Sequence, residues 1–332
     1  MNNNQDRICP GFCIENEVCQ MAIPEMVMMI GLPASGKSTL ALEYEKKGYH
    51  IPSSDAIRRE LYGFLDQRDP NRVFQLLQKR VREDLKKGIS CVYDATNIHY
   101  RYRTAYLAEI KSIPCIKTAA VVMAPPGLVR ERNLLRGEAV VPDDIIEKML
   151  RSYHAPYYHE GWDRIELIPG CDLELIREDA KKNDGWEPEK MVEIGHDNHH
   201  HPETIGQHML MAEAYAKEHG FSELVRIAAR YHDIGKPYTK AFFNYKGEPT
   251  EEAHFYGHES VSAYFYLLKA LAEGMETDPA LYVAAMISLH MRPLHAWNNS
   301  EKMREVDGKL LGETLYEDVW KLNACDKNAR LK

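Results

Sequence analysis

The chain has 332 residues, of which 44% are hydrophobic and 28% are charged, and its formal net charge is −8. This composition is typical of a soluble globular protein, and the length suits two domains. No apolar run approaches the ~20 residues of a membrane-spanning helix, and the first residues do not resemble a secretory signal. We therefore predict a cytoplasmic protein without a membrane partner. The negative charge argues against a general basic surface that coats nucleic acid, but it leaves room for a basic cleft.

The amino-terminal segment, 1–23, contains the only cluster among the seven cysteines. An odd number of scattered cysteines predicts no disulfide framework and is typical of a reducing compartment. Cys9, Cys13 and Cys19 are irregularly spaced and have no fourth Cys or His nearby, which disfavours a structural zinc site. We predict a leader that is mobile or loosely packed.

Short apolar runs alternate with helical patterns over residues 24–170. The runs at 25–31, 90–93, 119–123 and 162–168 predict strands, and stretches such as 72–87 predict helices. This alternation predicts an α/β domain with a parallel sheet. Polar residues with Pro and Gly then predict a linker over 171–194, and helical patterns predict an all-α domain over 195–332.

The first domain contains a glycine-rich loop that matches the phosphate-binding pattern GxxxxGK[ST]. It follows a strand and begins a helix, the context in which backbone N–H groups hold phosphates. We predict that this loop binds ATP or another nucleoside triphosphate through Gly31, Ser35, Gly36, Lys37, Ser38 and Thr39. Lys37 is expected to reach the terminal phosphates, and Ser38 is expected to bind Mg²⁺.

Further polar positions follow the loop. Asp55 and Arg58 share one face if a helix begins there, so a proton-accepting carboxylate would lie beside an anion-binding arginine. An N-cap aspartate with a solvated arginine would produce the same pair. Asp94 ends an apolar strand, where it either orients the water shell of Mg²⁺ or forms a turn. Arg132 and Arg136 are four residues apart on one predicted helical face, which either closes over a triphosphate or faces solvent.

This ordered set of motifs resembles the phage-type polynucleotide 5′-kinases of the P-loop kinase superfamily, over roughly residues 24–170. The matching stretches are GLPASGKST, SSDAIRREL, VYDATN, ERNLLRGEAVVPDDIIEKML and EGWDRIEL. The resemblance implies that Asp55 is the base acting on a 5′-hydroxyl and that Arg58 contacts a phosphate of the acceptor. It also implies that Arg132 and Arg136 form a lid.

The second domain is rich in histidine, and its informative feature is the order of His208, His232-Asp233 and Asp326. Imidazole and carboxylate groups together suit a divalent transition metal or Mg²⁺. The order resembles that of the HD-domain phosphohydrolases, over about residues 195–332. The stretch 197–208 is also similar to the entry of HD domains fused to tRNA nucleotidyltransferases, which act on 2′,3′-cyclic and 2′ phosphates.

Two more histidines, His258 and His290, lie between His232 and Asp326, in the order that two-metal HD enzymes use. The resemblance then implies six ligands and two ions bridged by Asp233, a pair that activates water and neutralises a phosphate. The alternative is a single ion, with His258 and His290 binding the substrate.

Together the two resemblances imply a bifunctional nucleic-acid end-healing enzyme. The kinase half would phosphorylate 5′-hydroxyl ends of RNA or DNA, and the HD half would remove 3′, 2′ or 2′,3′-cyclic phosphates. No ligase motif is visible in the sequence, so a separate ligase is an expected partner. One rival hypothesis is a nucleoside or small-molecule kinase joined to a nucleotide phosphohydrolase. Another is a nucleotide-sensing regulatory protein, against which the intact Lys37, Asp55, His232 and Asp233 argue.

Overall fold

The computed structural model describes residues 23–63, 68–199 and 202–330. The predicted leader up to residue 22, with Cys9, Cys13 and Cys19, lies outside the described residues. None of the helices in these three ranges is long and apolar enough to cross a membrane.

The first domain is built on a sheet whose strands within the described ranges all run parallel. The strands are β1 (Glu25–Ile30), β2 (Cys91–Tyr93), β3 (Ile116–Met123) and β4 (Arg164–Pro169), in the spatial order β2-β1-β3-β4. Alternate residues of β1 pack into hydrophobic clusters on opposite faces of the sheet, so this strand is apolar along almost its whole length. The predicted α/β domain with a parallel sheet is therefore confirmed.

Helices cover both faces of this sheet. They are α1 (Lys37–Lys46), α2 (Ser54–Tyr62), α3 (Pro70–Lys86), α4 (Tyr100–Glu109), α5 (Pro126–Leu134) and α6 (Asp143–Leu150). The amphipathic helix α3 buries Val73, Leu77, Val81 and Leu85, which recur every four residues as one apolar stripe. This stripe explains why the pattern at 72–87 predicted a helix correctly.

The prediction that Arg132 and Arg136 share one helical face was wrong. Helix α5 ends at Leu134, and Arg136 precedes a short 3-10 turn over Gly137–Ala139. The side-chain amide of Asn133 donates to the carbonyl of Val141 at 2.8 Å and accepts from its N–H at 3.0 Å. These two bonds fold the segment between them into a loop, which ends the helix.

The segment predicted as a linker is folded in the structure. Helix α7 (Leu173–Lys182) begins at the N-cap Asp172, whose side chain accepts from the N–H of Glu174 at 3.0 Å. Trp186 is fully buried, and its ring stacks on Phe265 at 5.5 Å. The polar composition that indicated a linker therefore belongs to the exposed side of a packed segment.

The second domain is helical, as predicted. Its helices are α8 (Ile205–Glu218), α9 (Glu223–Tyr231), α10 (Lys236–Thr239), α11 (His258–Glu273), α12 (Thr277–Leu289), α13 (Glu301–Leu311) and α14 (Glu313–Asn328). The all-α prediction missed an antiparallel ribbon of β5 (Ala241–Phe243) and β6 (Pro249–His254). Its strands are short and largely exposed, so they leave little apolar alternation in the sequence.

The two domains share one hydrophobic core. The hydroxyl of Tyr264 on α11 donates to the carbonyl of Ala124 in the first domain at 2.7 Å. Its ring meets that of Tyr153 edge-on at 5.1 Å. Arg151, which follows α6, donates to carbonyl groups of the second domain at Tyr238, Thr239 and Tyr256. The domains thus pack directly against each other.

Candidate functional sites

The phosphate-binding loop lies between β1 and α1 and is shaped by close backbone contacts. Gly36 has a φ of +107°, and a Cβ atom there would lie 2.5 Å from the carbonyl oxygen of Gly170. Lys37 reaches back across the loop, and its Nζ donates to the carbonyls of Gly31 at 3.0 Å and Leu32 at 2.5 Å. Within the described ranges the buried Ser35 hydroxyl has no hydrogen-bond partner. The loop therefore offers polar groups to an anion, and Ser38 and Thr39 are exposed in the first turn of α1.

The chain brings Asp94 and Asp55 to the same end of the sheet. Asp94 follows β2, and a parallel bridge between Ser53 and Asp94 fixes the start of α2 beside it. The N–H of Ser54 donates to the carbonyl of Asp94 at 3.0 Å. Burial lowers the pKa of Lys37 to about 8, although the carboxylates of Asp94 and Asp55 oppose this shift. Burial also raises the pKa of Asp94, and the nearby charge of Lys37 opposes this increase. Both carboxylates therefore lie close enough to Lys37 to affect its charge.

Asp55 is held by two arginines. Arg58 Nη1 lies 3.3 Å from Asp55 Oδ1, and Arg136 Nη2 lies 3.6 Å from Asp55 Oδ2. The alternative of an N-cap aspartate with a solvated arginine does not hold, because Ser53 is the N-cap and the Arg58 side chain is only 7% exposed. Arg132 Nη1 donates to the carbonyl of Gly170 at 2.8 Å. Arg136 thus reaches Asp55, and Arg132 reaches Gly170, which packs against Gly36 of the phosphate-binding loop.

The second candidate site joins the six predicted ligands of the helical domain. His208 lies on α8, His232-Asp233 follows α9, His258 begins α11, His290 follows α12, and Asp326 lies on α14. Every one of the four imidazoles uses Nδ1 to donate to a backbone carbonyl. These carbonyls belong to Ala329 (2.9 Å from His208), Ala229 (2.8 Å from His232), Phe255 (2.8 Å from His258) and Ile287 (2.7 Å from His290). The Nε2 atoms consequently point away from these carbonyls and face one another in pairs.

The six side chains form two adjoining groups. One contains His208, His232 and Asp326, and the other contains Asp233, His258 and His290. The Nε2 atoms of His208 and His232 lie 3.2 Å apart, as do those of His258 and His290. Because two lone pairs at that separation would repel each other, a proton or a metal ion must lie between the nitrogens of each pair. The donor set, histidine nitrogen with carboxylate oxygen, fits divalent transition metals.

Asp233 links the two groups. Its Oδ2 lies 3.3 Å from His232 Nε2, and its Oδ1 lies 3.3 Å from His258 Nε2. Burial opposes the ionisation of Asp233, but His232 and Lys236 hold its pKa well below the usual range. Each carboxylate oxygen therefore faces a different group, which is the arrangement expected of a bridging ligand.

The histidines differ strongly in proton affinity when no ion is bound. Burial lowers the pKa of His232, but the carboxylates of Asp233 and Asp326 outweigh burial and raise this pKa to about 10. Burial, reinforced by His258 and His232, lowers the pKa of His290 to about 3. A cation that binds here would therefore displace a proton from the group around His232 but not from His290.

Sequence reasoning missed His196 and Glu203, which lie behind these ligands together with Lys236. Lys236 Nζ lies 2.6 Å from Asp233 Oδ2 and donates to His196 Nε2 at 3.2 Å. His196 Nδ1 donates in turn to the carbonyl of Glu203 at 2.9 Å, and Glu203 Oε1 lies 3.3 Å from His208 Nδ1. The sequence indicated this group of residues only through Glu203, which directly precedes the capping box Thr204…Gln207. Its burial could not be read from spacing alone.

Two family models match the chain. The model described as an AAA domain matches residues 26–156, and the model described as an HD domain matches residues 205–320. The first match agrees with the parallel sheet and the phosphate-binding loop of the α/β domain. A helical HD domain follows it, with all but one of the six clustered residues inside the matched range.

Individual relatives are more distant. The chain is 25% identical over 149 residues to the L-seryl-tRNA(Sec) kinase of Methanococcus maripaludis, a match that covers 42% of this chain and 56% of the relative. The chain thus spans little more than half the length of that protein. The structure of a candidate kinase from Chloroflexus aurantiacus is similar with 17% identity and a TM-score of 0.39, over 46% of this chain and 91% of that one. A gluconokinase from Sinorhizobium meliloti is similar with 18% identity and a TM-score of 0.32, over 44% and 82%.

Proposed function

We propose that this protein is a bifunctional nucleic-acid end-healing enzyme. It would phosphorylate 5′-hydroxyl ends with ATP and Mg²⁺, and it would remove 3′, 2′ or 2′,3′-cyclic phosphates with divalent metal ions. The observation that carries the proposal is the pairing, in one packed chain, of a P-loop site with a positioned carboxylate and a six-residue His/Asp cluster. Strand cleavage by a 2′-hydroxyl leaves a 5′-hydroxyl and a 2′,3′-cyclic phosphate, so one molecule would repair both products.

In the kinase half, Asp55 is the proposed acceptor of the proton from the 5′-hydroxyl. Arg58 and Arg136 lie beside its two oxygens and fix the direction of the carboxylate. Arg58 would also hold the phosphate that follows the first nucleotide of the acceptor, since a guanidinium can contact two anions at once. Lys37 belongs to the phosphate-binding loop, and Arg132 bonds Gly170 beside that loop, so both would neutralise the transferred phosphate. Ser38 is proposed to bind Mg²⁺, and Asp94 is proposed to orient the water shell of that ion.

In the HD half, the six clustered residues would hold one or two divalent ions. Bound ions of this kind neutralise a phosphate and activate water for its hydrolysis. The chain itself orients the ligands, because every histidine Nδ1 is tied to a backbone carbonyl. Lys236 balances the charge of Asp233 from 2.6 Å, and it lies near enough to exchange a proton with His196.

An RNA acceptor is supported by the relative that is named an L-seryl-tRNA(Sec) kinase, because the substrate in that name is a group carried by RNA. The net charge of −8 favours the rival, a nucleoside or small-molecule kinase joined to a nucleotide phosphohydrolase. Against this rival, arginines cluster locally around Asp55 despite the acidic chain.

The test uses two substrates on the full chain. Purified protein is incubated with radiolabelled ATP and either a 5′-hydroxyl oligonucleotide or free nucleosides, and separately with RNA that ends in a 2′,3′-cyclic phosphate. We expect label on the oligonucleotide and loss of the terminal phosphate. Lys37→Ala should abolish only the first activity, and His232→Ala only the second. Labelling of nucleosides but not of oligonucleotides would refute end healing in favour of the small-molecule rival.

A further inference from the structure

A cavity of about 250 Å³ lies between the two domains. The first domain lines it with Tyr100, His154 and His159, and the second domain lines it with residues such as Ser288 and Glu259. Neither of the two sites described above uses these side chains. The cavity is smaller than the ~300 Å³ at the low end of pockets for drug-sized ligands, so it suits a single ring system.

The cavity lining includes neutral polar groups, some of which have no hydrogen-bond partner among the described residues. Among the described residues, no hydrogen-bond partner reaches His159 Nδ1 or the hydroxyl of Ser288, although both atoms are buried. Burial lowers the pKa of His154 to about 4, and it lowers the pKa of His159 as well. Both imidazoles are therefore neutral at physiological pH, and each presents one donor and one acceptor. An orphaned buried polar atom is costly unless a ligand or water satisfies it.

The charges around the cavity exclude a phosphate as its occupant. Apart from histidine, Arg292 is the one basic side chain among the described lining residues, and Asp307 neutralises it at 2.5 Å. The carboxylate of Glu160 is paired with the buried Arg103 at 2.5 Å. Glu259 adds a further negative charge. A planar, neutral ligand with donors and acceptors on its edge fits this lining, and a nucleobase has that chemistry.

The cavity adjoins the metal-binding cluster. Glu259 lines the cavity, and its Oε2 lies 3.6 Å from Nδ1 of the cluster residue His258. Leu289 and Met291, which also line it, flank the cluster residue His290 in the chain. A nucleotide with its phosphate at the cluster would therefore have a base-sized space next to it, walled partly by the other domain.

We propose that this interdomain cavity binds the base of the nucleotide whose phosphate the HD centre removes, so that the kinase domain supplies part of the HD substrate site. The inference rests on the proposed phosphatase function. It explains why the two domains share one core, since a separated HD domain would lose the wall formed by His154 and His159.

The test compares a substrate with a base and one without. Adenosine 2′,3′-cyclic phosphate and bis-p-nitrophenyl phosphate are hydrolysed by the full chain and by the His159→Phe and Ser288→Ala variants. We expect each variant to lower the ratio of the two kcat/KM values about tenfold, mainly through a higher KM for the nucleotide, as loss of one hydrogen bond implies. His219→Phe, outside the lining, should leave the ratio unchanged.

Binding of adenosine to the wild-type chain, followed by NMR or crystal soaking, requires neither folding of a variant nor hydrolysis. Adenosine in the cavity supports the inference, and its absence at millimolar concentration overturns it. An unchanged ratio in both variants, with normal hydrolysis of both substrates, also overturns it while the proposed phosphatase function stands. If the wild type hydrolyses neither substrate, the proposed function fails, and adenosine binding alone decides whether the cavity is a base site.

Discussion

Arg136 Nη2 lies 3.6 Å from Asp55 Oδ2, although Arg136 lies beyond the end of the helix that carries Arg132. The contact depends on the loop that Asn133 closes by bonding both backbone groups of Val141. The residue predicted as a lid and the residue predicted as a base are therefore neighbours. Movement of this loop would alter the charge that surrounds Asp55.

Asp55→Asn should lower 5′-phosphorylation by a factor of about 10² to 10⁴, because it removes the proton acceptor while keeping the size of the side chain. Initial rates with a 5′-hydroxyl oligonucleotide measure the loss. Asp144→Asn is the matched control, since Asp144 is exposed and forms an ion pair with the exposed Lys148 one helical turn away. Transfer by Asp55→Asn at a rate close to that of the control would rule out the role given to Asp55.

Arg58→Ala should weaken the use of an oligonucleotide more than the use of a nucleoside, because only the oligonucleotide carries an internucleotide phosphate. Arg58→Lys should recover little, since lysine lacks the planar fork that contacts Asp55 and a phosphate together. The exposed neighbour Arg59 provides the control variant Arg59→Ala. Equal losses with both acceptors would mean that Arg58 only supports the structure.

The order and periodicity of residues in the sequence correctly predicted those elements that are encoded locally. The strands of the sheet, the stripe of α3 and the phosphate-binding loop are each encoded by residues close in the chain. The spacing of His208, His232 and Asp326 pointed to a shared site, yet only packing could show that each Nδ1 meets a carbonyl. The end of α5 was missed because it depends on a side-chain contact across eight residues.

The interdomain surface was missed for the same reason. The polar segment 171–194 was interpreted as a linker, because no local signal shows that Trp186 packs on Phe265 of another helix. A cavity formed by His159 and Ser288 is likewise absent from either domain taken alone. Contacts between residues this far apart in the chain leave no periodic pattern in a single sequence.

Tyr264→Phe should destabilise the protein by about 1 to 3 kcal/mol, because the buried carbonyl of Ala124 would lose its donor. The shared core further predicts a single cooperative transition in thermal or urea unfolding, rather than one per domain. Tyr245→Phe, at a side chain that is 81% exposed, is the matched control and should change the stability little. Two well-separated transitions in the wild type would contradict the shared core.

Metal affinity of the HD half should remain dependent on pH above neutrality. An ordinary imidazole has a pKa of ~6.5, so protons would cease to compete above about pH 7. The pKa of His232 is raised to about 10, so that binding displaces a proton and affinity should rise up to about tenfold per pH unit from 7 to 9.

The raised pKa of His232 also makes the stability of the metal-free protein depend on pH. Because the folded pKa of His232 lies above its unfolded value, the resulting stability is complete below about pH 6.5 and is lost as pH rises toward about 10. The metal affinity predicted above is measured by titration with a competing fluorescent chelator at several pH values. A flat affinity above pH 7 would contradict the raised pKa.

The number of ions is the sharpest test of the cluster. Two groups of three ligands, joined by an Asp233 that turns one oxygen toward each, predict two ions per chain. Asp233→Ala removes the shared ligand and should lower the content to near zero. His290→Ala or His258→Ala affects one group and should leave about one ion, bound by His208, His232 and Asp326. Inductively coupled plasma mass spectrometry after gel filtration gives the stoichiometry.

His219→Ala is the matched control, because His219 stacks on Tyr215 outside both ligand groups and its variant should keep both ions. Anomalous scattering from crystals would then show which ligands each ion contacts. A fully active protein with one ion, and unchanged content in His258→Ala, would refute the two-ion site. In that case His258 and His290 would be left to contact the substrate, and the HD domain would use the group around His208 alone.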